Sequence, residues 1–372
     1  MNATWGGSQL FQNRLWLFFW IALFLSTIEV GLEYRAHLRG WDSPLFGRAE
    51  RSEESGGGSV PPAARVYGPT AEFPFRSRVV EVEKGEGTTR IWIASASYAQ
   101  DEYQPPTKIF PVRLEDQLTA SGDSVQVLNA SQAGWGMRTN TEMLEDLAVA
   151  WRPDVAVLYQ GSADIGQLIS AYLAAEETQS IENDERDLND DATPAQPNWT
   201  VRFVESTTVY SILKGYVSAW IATTRVLSDE LPPEAFDVLE KRIAAFIAAC
   251  RAAGVHPVLS TFATSHHRKD LGNFPSSVTT MIFKYNLHLS LLGWVDTVEK
   301  FNRLMFKMAQ KYDVPLIDVD AAFPDDPQLF RDYIHFTPEG HERVAATIAQ
   351  GLRKAALVSP SAPLSEKGDR IE

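Results

Sequence analysis

From residue 90 onward, short apolar stretches alternate with longer amphipathic ones, and this alternation constrains the fold more than any other feature. Strands are predicted for 90–94, 125–128, 155–159, 257–260 and 315–319. Helices are predicted between them, for 110–118, 141–151, 233–253 and 298–311. Strands that alternate with helices form parallel sheets covered on both faces, so the chain is predicted to contain an α/β domain. In such sheets, ligands bind at the carboxyl ends of the strands.

Composition excludes several classes of function. The chain has 372 residues and a formal net charge of -14, which disfavours a general nucleic-acid binder because such proteins need basic surface to displace counterions. The single cysteine, Cys250, excludes a disulfide framework and a cysteine metal site within one chain. It shares a helical stripe with Ile243, Phe246 and Ile247, so it is interpreted as a packing residue. Neither a cofactor nor a metal site is predicted.

Residues 15–32 form the strongest hydrophobic run. As a helix this run spans about 27 Å, just enough for a bilayer core of roughly 30 Å, and Trp16 and Trp20 fall toward one interface. We therefore expect an uncleaved, single-pass signal-anchor; a cleaved signal peptide is the alternative. Four arginines follow the run by residue 51 and only Arg14 precedes it, a bias that places the C-terminal bulk in the cytoplasm. Long domains translocate regardless of charge, however, so an extracytoplasmic domain is expected.

Composition divides the remaining chain into segments. Residues 1–14 are a tail, 33–77 a linker rich in glycine and proline, 78–357 the α/β domain and 358–372 a disordered tail. A short edge strand is predicted at 78–83. The stretch 176–198 is strongly acidic and is interpreted as a solvated, partly disordered insertion rather than a binding element.

A helix start is predicted at Thr337-Pro338. The threonine hydroxyl can cap the free N–H groups of the first turn, and a proline at the first helical position loses no bond that it needs. His341, in that first turn, is interpreted as structural. The helix carries an apolar stripe at spacing four, which should face the core: Val344, Ile348, Leu352 and Ala356.

Asp332 and His335 lie just before that helix. The aspartate can turn back onto the imidazole. A carboxylate bonded to one ring nitrogen fixes the tautomer and leaves the other nitrogen free as a base, which is half of a hydrolytic triad. The alternative is a surface turn without function, so the hypothesis requires a nucleophile elsewhere in the chain.

Polar or glycine-rich loops follow three successive strands. Ser97 opens the turn after the first strand and is a candidate nucleophile, although small-residue turns are common. The second strand runs into a loop with Gly134, whose backbone N–H is open to an incoming oxyanion. The third strand runs into the loop 160–164, with the sequence Gln-Gly-Ser-Ala-Asp. Together with the loop of Asp332 and His335, four such loops on one rim favour a catalytic site.

Over about 90–357, these residues resemble the SGNH/GDSL hydrolases. Ser97 matches that family's nucleophile, Gly134 its second-block glycine, and Asp332 and His335 its fourth block. The first block is degenerate, because Ser-Ala-Ser stands where the family name has Gly-Asp-Ser. The resemblance implies a flavodoxin-like, three-layer α/β sandwich with a parallel sheet. It also implies a Ser97, Asp332, His335 triad and an oxyanion hole formed by the backbone N–H groups of Ser97 and Gly134.

One position departs from the family pattern. The third block of the family supplies an asparagine whose amide helps to hold the oxyanion, and Ala163 occupies that position here. Loss of one such donor typically costs about 10²–10³ in turnover. An esterase would be slowed but not abolished, provided that the two backbone N–H groups remain. Ser162 and Gln160 are candidates to replace the amide, and Ser162 is also a possible substrate contact.

Other polar and aromatic residues are weaker candidates. His266 and His267 are adjacent in a loop after a strand. His266 is a possible substrate contact, whereas no carboxylate with ligand spacing supports a metal site. Trp135 and Trp294 could line a sugar or acyl site, but packing is the expected role.

The resemblance implies a serine esterase or acyl hydrolase that acts on a small-molecule or glycan ester, and the hydrophobic run 15–32 adds the expected membrane anchor. Two alternatives stay open. Related anchored proteins of this superfamily modify polysaccharides by acyl transfer, so a sugar hydroxyl could replace water and make the protein a glycan O-acyltransferase. Alternatively, Ala163 marks a decayed oxyanion hole, and the domain serves binding or assembly without catalysis.

Overall fold

The computed structural model describes residues 73, 75–182, 227–286, 288–324 and 326–358, together with isolated helical positions between 16 and 34 and between 210 and 221. The chain divides into two compact units. The larger unit comprises Val60–Glu185 and Ala222–Glu372 and contains every predicted site residue. The smaller unit comprises Met1–Ser59 and Arg186–Ile221.

Five parallel strands form the sheet of the larger unit, in the order β2-β1-β3-β4-β5. They are β1 Thr89–Ser95, β2 Val125–Ser131, β3 Val155–Leu158, β4 His256–Ser260 and β5 Leu316–Ile317. All four residues of β3 are buried, which requires cover on both faces of the sheet. The order 2-1-3-4-5 is that of flavodoxin-like, doubly wound sheets. The expectation of an α/β domain with a parallel sheet is therefore confirmed.

Helices flank the sheet in two packed groups. They are α1 Ser97–Gln100, α2 Phe110–Ala120, α3 Met137–Trp151, α4 Ser162–Glu182, α5 Pro233–Ala252, α6 Ser276–Tyr285, α7 Leu291–Tyr312 and α8 Pro338–Lys354. Helix α2 packs against α8, while α5 packs against both α3 and α7. Large side chains such as Trp92, Phe246 and Phe301 are fully buried and form part of one hydrophobic core.

The position of β1 between β2 and β3 determines where a site can form. The chain leaves β1 for β2 on one side and then crosses to β3 on the other, which is a topological switch point. Ala94 pairs with Leu158 in register, and Tyr159 N donates to Ala94 O at 3.0 Å. The loops that follow β1 and β3 therefore emerge side by side at the carboxyl edge of the sheet.

Several helix boundaries differ from the sequence-based prediction. Helix α7 begins earlier than expected because the Ser290 hydroxyl caps it by accepting the Gly293 N–H at 3.0 Å. Helix α4 continues to Glu182, so the first part of the stretch 176–198 is helical rather than a disordered insertion. Strong helix formers, mainly alanine, leucine and glutamate, precede this end of α4. The rest of that stretch and the C-terminal tail from residue 359 lie outside the described residues.

The expected edge strand at 78–83 is wrong, because residues 79–83 form no strand. Instead, the buried guanidinium of Arg90 donates hydrogen bonds to the carbonyl oxygens of this segment. Arg90 donates to Val82 O at 2.7 Å, to Glu83 O at 3.3 Å and also to Glu81 O. Those carbonyl groups are no longer available to a neighbouring strand, since each is already bonded to the side chain of Arg90.

The expected linker 33–77 also ends differently. Phe73 and Phe75 are only 5% and 4% exposed. Their rings pack edge-on against Trp92 and Trp135, at centroid distances of 5.9 and 5.4 Å. The core of the larger unit therefore includes the last residues of the stretch interpreted as linker, while residues 35–72 lie outside the described residues.

The expected membrane anchor at 15–32 lies in large part outside the described residues. The positions that are described between 16 and 31 are helical. Within the part of the chain that the structure describes, no helix has both the length and the apolar character needed to cross a membrane. The anchor stays a prediction.

Candidate active site

Ser97 is the first residue of α1 and directly follows the end of β1. Small residues crowd this turn. Ala96 is fully buried, and the Ser95 hydroxyl donates to Tyr159 O at 2.7 Å. This bond ties the end of β1 to the end of β3, while Ser97 itself is half-buried. The Ser97 hydroxyl therefore lies at the carboxyl edge of the sheet.

Ser97, His335 and Asp332 are linked by two hydrogen bonds. His335 Nε2 lies 2.9 Å from Ser97 Oγ, and His335 Nδ1 lies 2.7 Å from Asp332 Oδ2. The second carboxylate oxygen of Asp332 accepts the backbone N–H groups of Ile334 and His335, at 2.9 and 2.8 Å. One carboxylate thus holds both the ring and the backbone of His335, which fixes the orientation of the imidazole.

The pKa of Asp332 lies below its ordinary value of 3.8. Burial alone raises this pKa, but the hydrogen bond and charge of His335 and the two backbone N–H groups outweigh burial. Asp332 is therefore ionised at neutral pH. An ionised carboxylate at Nδ1 favours the tautomer with its proton on Nδ1, which leaves Nε2 free to accept the Ser97 hydroxyl.

The turn that carries Asp332 and His335 is closed by its own backbone. Arg331 N donates to His335 O at 2.7 Å, and Phe330 pairs with Phe336 in an isolated antiparallel bridge. The side chains of Asp332 and His335 therefore project from a small closed loop rather than from a free segment.

The helix that follows this turn begins where the sequence predicts. Thr337 caps α8 by accepting the Gly340 N–H at 3.2 Å, and Pro338 is the first helical residue, so the predicted helix start is confirmed. Thr337 N donates to Leu329 O at 2.8 Å. A Cβ at position 340 would lie 2.2 Å from Leu329 O, so this close approach requires glycine.

The loop after β2 presents Gly134 with φ +80°, in the left-handed region that favours glycine. Two other elements hold this loop. Ala133 N donates to Gln100 Oε1 at 2.7 Å, and Gln167 Nε2 donates to Gly134 O at 3.0 Å. Among the described residues, no acceptor is found for the backbone N–H of Gly134 or of Ser97. Sequence analysis missed Gln100, although its position one helical turn after Ser97 was a usable signal.

Asp164 holds the start of α3 beside this loop. Its carboxylate accepts the Met137 N–H at 2.9 Å and pairs with Arg242 at 2.9 Å. Burial raises the pKa of Asp164 to about 6, against the lowering effect of the Arg242 and Met137 hydrogen bonds. A Cβ at Gly136 would lie 2.9 Å from Asp164 Oδ1, so the approach depends on glycine. Sequence analysis quoted Asp164 in the third block without giving it a role.

Gln160 cannot take the place of the absent asparagine amide. Its Oε1 accepts the Tyr98 hydroxyl at 2.6 Å, and its Nε2 donates to Trp135 O at 3.1 Å. The side chain is fully buried. Ala163 packs against the hydrophobic core and offers no donor.

Ser162 is linked to the turn of Asp332 and His335. It is the first residue of α4 and is half-buried. Tyr333 is only 5% exposed, and burial raises its pKa against the smaller lowering effect of the Ser162 hydroxyl, so the phenol stays protonated. Ser162, unlike Gln160, is therefore a half-buried hydroxyl at the carboxyl edge of the sheet.

The two adjacent histidines have other partners. His266 Nδ1 lies 2.7 Å from Ser265 Oγ, its ring tilts against Phe274, and burial lowers its pKa. His267 Nε2 lies 3.2 Å from Phe323 O. Across the described ranges, no group of three or more histidine, cysteine, aspartate or glutamate side chains is arranged to hold a metal ion.

The two tryptophans that could line a site contribute to packing. Trp294 is 4% exposed and meets Tyr333 edge-on at 5.4 Å. Trp135 is half-buried and packs on Phe75. Through its contact with Tyr333, Trp294 therefore packs against the turn that carries Asp332.

Solved structures resemble this chain at low sequence identity. A GDSL-like lipase from Bacteroides thetaiotaomicron is 12% identical with a TM-score of 0.40, and the match covers 72% of this chain and 89% of that one. An acetyl xylan esterase is 15% identical with a TM-score of 0.41, over 71% of this chain and 100% of that one. A lipase/acylhydrolase from Enterococcus faecalis is 14% identical with a TM-score of 0.39, over 74% and 99%.

Sequence comparison identifies one family. No curated protein matches the sequence significantly. The model of the GDSL-like lipase/acylhydrolase family matches residues 95–343, more than half of the chain. That range includes Ser97, Gly134, Asp332 and His335, so the expected family is confirmed. The chain belongs to the GDSL-like lipase/acylhydrolase family.

Proposed function

We propose that this protein is a membrane-anchored serine esterase that hydrolyses an ester through Ser97, His335 and Asp332. The observation that carries the proposal is the pair of hydrogen bonds on His335, at 2.9 Å to Ser97 Oγ and 2.7 Å to Asp332 Oδ2. A hydroxyl in contact with a base that a carboxylate orients is the arrangement that activates serine for acyl transfer. Membership of an acylhydrolase family supports the same class of reaction.

Acylation uses these three side chains in order. His335 Nε2 accepts the Ser97 hydroxyl proton while Ser97 Oγ attacks the acyl carbonyl carbon of the ester. Asp332 stabilises the imidazolium without taking its proton. The tetrahedral intermediate then collapses, the C–O bond to the alcohol breaks, and His335 returns the proton to the leaving alkoxide. The products of this half are an alcohol and an acyl-serine.

Deacylation repeats the sequence with water. His335 Nε2 takes a proton from a water molecule, whose oxygen attacks the acyl carbon of the acyl-serine. Collapse breaks the bond to Ser97 Oγ, which recovers its proton from His335. The carboxylic acid leaves and the starting state is restored, so the cycle needs no cofactor.

Two backbone donors stabilise the developing oxyanion. They are the N–H groups of Ser97 and Gly134, for which no acceptor is found among the described residues. The Gly134 loop is held by Gln100 and Gln167 before any substrate binds, and donors fixed in advance cost no reorganisation in the transition state. Because Ala163 adds no third donor, turnover is expected to be lower than in a family member with the asparagine.

A fluorophosphonate probe tests the triad in the full chain. We expect covalent labelling that peptide mapping assigns to Ser97, no labelling of Ser97→Ala, and labelling of His335→Ala slowed at least about 10²-fold, as for loss of a general base. His267→Ala is the matched control, since it removes another half-buried histidine, whose ring contacts Phe323 O instead. An unlabelled wild type, or a rate that His335→Ala leaves unchanged, contradicts the proposal.

Hydrolysis itself is tested with a small aryl acetate. Free acetate should form in proportion to the released phenol. The reaction is repeated with an oligosaccharide acceptor, and acylated sugar in place of free acetate contradicts the assignment of water as the acceptor.

The anchor belongs to the same proposal and rests on the hydrophobic run 15–32. A single apolar helix of this length holds a protein in a bilayer, and the domain that follows is placed on the extracytoplasmic side. The full chain should stay in the membrane pellet after alkaline carbonate extraction. A variant that lacks residues 1–32 should be found in the supernatant instead. Protection of the domain from protease in intact spheroplasts contradicts the extracytoplasmic side.

A further inference from the structure

The residue that follows α1 is Asp101, and its buried carboxylate has no role in the proposed reaction. The Asp101 side chain is 0% exposed. Its Oδ2 accepts from His341 Nε2 at 2.9 Å, while its Oδ1 accepts from Arg331 at 3.3 Å and from the Tyr103 N–H at 3.2 Å. A buried carboxylate is tolerated in a folded protein only when hydrogen-bond donors satisfy its oxygen atoms in this way.

His341 is bonded at both ring nitrogens. Its Nδ1 accepts the Phe110 N–H at 3.1 Å, so the proton of the neutral ring is on Nε2, where it is donated to Asp101. The ring is fully buried and stacks beside Phe110. The pair is therefore a neutral imidazole that donates to an ionised carboxylate.

Asp101 is connected to both members of the catalytic pair. Its own N–H donates to Ser97 O at 2.8 Å, which closes the single turn of α1. Its partner Arg331 donates its backbone N–H to His335 O at 2.7 Å. One carboxylate thus joins the helix that carries the hydroxyl to the turn that carries the base.

The backbone of Asp101 has φ +24° and ψ 78°, which is outside the regions that a non-glycine residue adopts without strain. Such conformations persist only where the surrounding contacts hold them, and they are concentrated at functional sites. Here the contacts are the three donors on the carboxylate. No local pattern in the sequence indicates these donors, because Asp101 and His341 lie 240 positions apart.

We propose that Asp101, held by His341 and Arg331, is a positioning residue that keeps Ser97 Oγ within hydrogen-bond distance of His335 Nε2. The inference rests on the proposed esterase function. It adds a carboxylate, Asp101, that acts by positioning Ser97 and His335 and does not contact the substrate. A misplacement of about 1 Å in such a contact can cost about 10²-fold in rate.

The same carboxylate carries a charge beside the catalytic turn. Burial raises the pKa of Asp101, but the hydrogen bond and charge interaction with His341 and the charge of Arg331 outweigh burial, so this pKa lies below its ordinary value. Asp101 is therefore ionised at neutral pH, and its charge holds Arg331 on the catalytic turn.

The test uses the full chain with Asp101→Asn, which keeps the size of the side chain and removes its charge. We expect kcat and the rate of fluorophosphonate labelling to fall by about 10- to 100-fold, with KM within about twofold of wild type because binding groups are untouched. A purely structural role would lower the melting temperature and leave kcat as in wild type when it is measured well below that temperature.

Asp123→Asn is the matched control. Asp123 is also a buried carboxylate that holds α8, through Arg353 at 3.0 Å, but it lies at the amino-terminal end of β2, away from the catalytic edge. Its substitution should lower the melting temperature and leave kcat and the pH profile as in wild type. Equal losses of kcat in Asp101→Asn and Asp123→Asn overturn the positioning role.

A second variant keeps the proposal falsifiable if Asp101→Asn does not fold. His341→Gln retains an N–H donor toward Asp101 and should lower kcat by a smaller factor, again without a change in KM. Unchanged kcat in a folded His341→Gln or Asp101→Asn overturns the proposal, while labelling of wild-type Ser97 shows that the esterase function still stands. A wild-type protein that is not labelled contradicts both the proposed esterase function and the positioning role of Asp101.

Discussion

His335 Nε2 lies 2.9 Å from Ser97 Oγ, although 238 positions separate the two residues. The strand order explains the contact, because β1 lies between β2 and β3 and its carboxyl end faces the turn that leads into α8. The contact is not isolated. Asp101, the residue that caps the end of the helix begun by Ser97, meets His341 and Arg331. The alignment of hydroxyl and base is therefore a property of the packed fold rather than of one loop.

Asp332→Asn should lower kcat by about 10³–10⁴ with little change in KM. The amide can still accept the Ile334 and His335 N–H groups, so the turn survives, but it favours the wrong tautomer of His335 and cannot stabilise the imidazolium. Steady-state hydrolysis of an aryl acetate measures both constants. A loss of less than tenfold would show that the carboxylate is dispensable.

Ala163→Asn should raise kcat, by up to about tenfold, because it returns a side-chain donor at the position where the family has one. Ala163→Val adds volume at the same position without a donor and serves as the control. Ser162→Ala in the Ala163 background should lower kcat if the Ser162 hydroxyl already contributes as a donor. A gain with valine equal to the gain with asparagine would contradict the donor explanation.

Gly134→Ala should lower kcat by more than the loss of folded protein can explain. No atom lies within 4 Å of a Cβ at this position, so the effect comes from the backbone, whose φ of +80° an alanine resists. The strain costs about 1–2 kcal/mol and is relieved by rotation of the peptide that carries the proposed oxyanion donor. Gly122→Ala carries the same strain, at φ +90° with open space, in the turn after α2. It should destabilise the protein in urea without lowering kcat.

Acidification below pH 6.5 should destabilise the fold through His341. Burial holds the pKa of His341 below its ordinary value of 6.5, so the unfolded chain binds more protons than the folded chain below that pH. By linkage, the free energy of unfolding then falls as the pH falls from 6.5. Asp101 and Asp332, whose pKa values lie below 3.8, add a further loss only below that value. Urea unfolding between pH 5 and 7.5 should show a weaker slope for His341→Gln, and an unchanged slope would contradict the assignment.

Elements with a strong local pattern could be predicted from the sequence. The cap at Thr337 and the strands of the parallel sheet depend on neighbouring residues, and they form as expected. The proximity of Asp332 to His335 is also local, since three positions separate them. The position of Ser97 opposite His335 needed the family resemblance as well, because local sequence does not distinguish that turn from other small-residue turns.

Features that depend on distant partners could not be predicted in this way. The edge strand at 78–83 fails because a side chain from β1, Arg90, takes its carbonyl groups. Asp101 carries no local sign of its partners on α8 and the catalytic turn. Gln160 looked like a free amide in the sequence, and only the contacts of Tyr98 and Trp135 show that it is already used.

The bonds that Gln100 and Gln167 make to the Gly134 loop have a consequence for the dynamics of turnover. Within the described residues, the proposed oxyanion donors are in place before substrate binds, since the contacts that hold them form while the domain folds. Solvent viscosity should then slow the encounter with substrate without slowing the chemical steps. The proposed site would keep one geometry through every cycle of turnover.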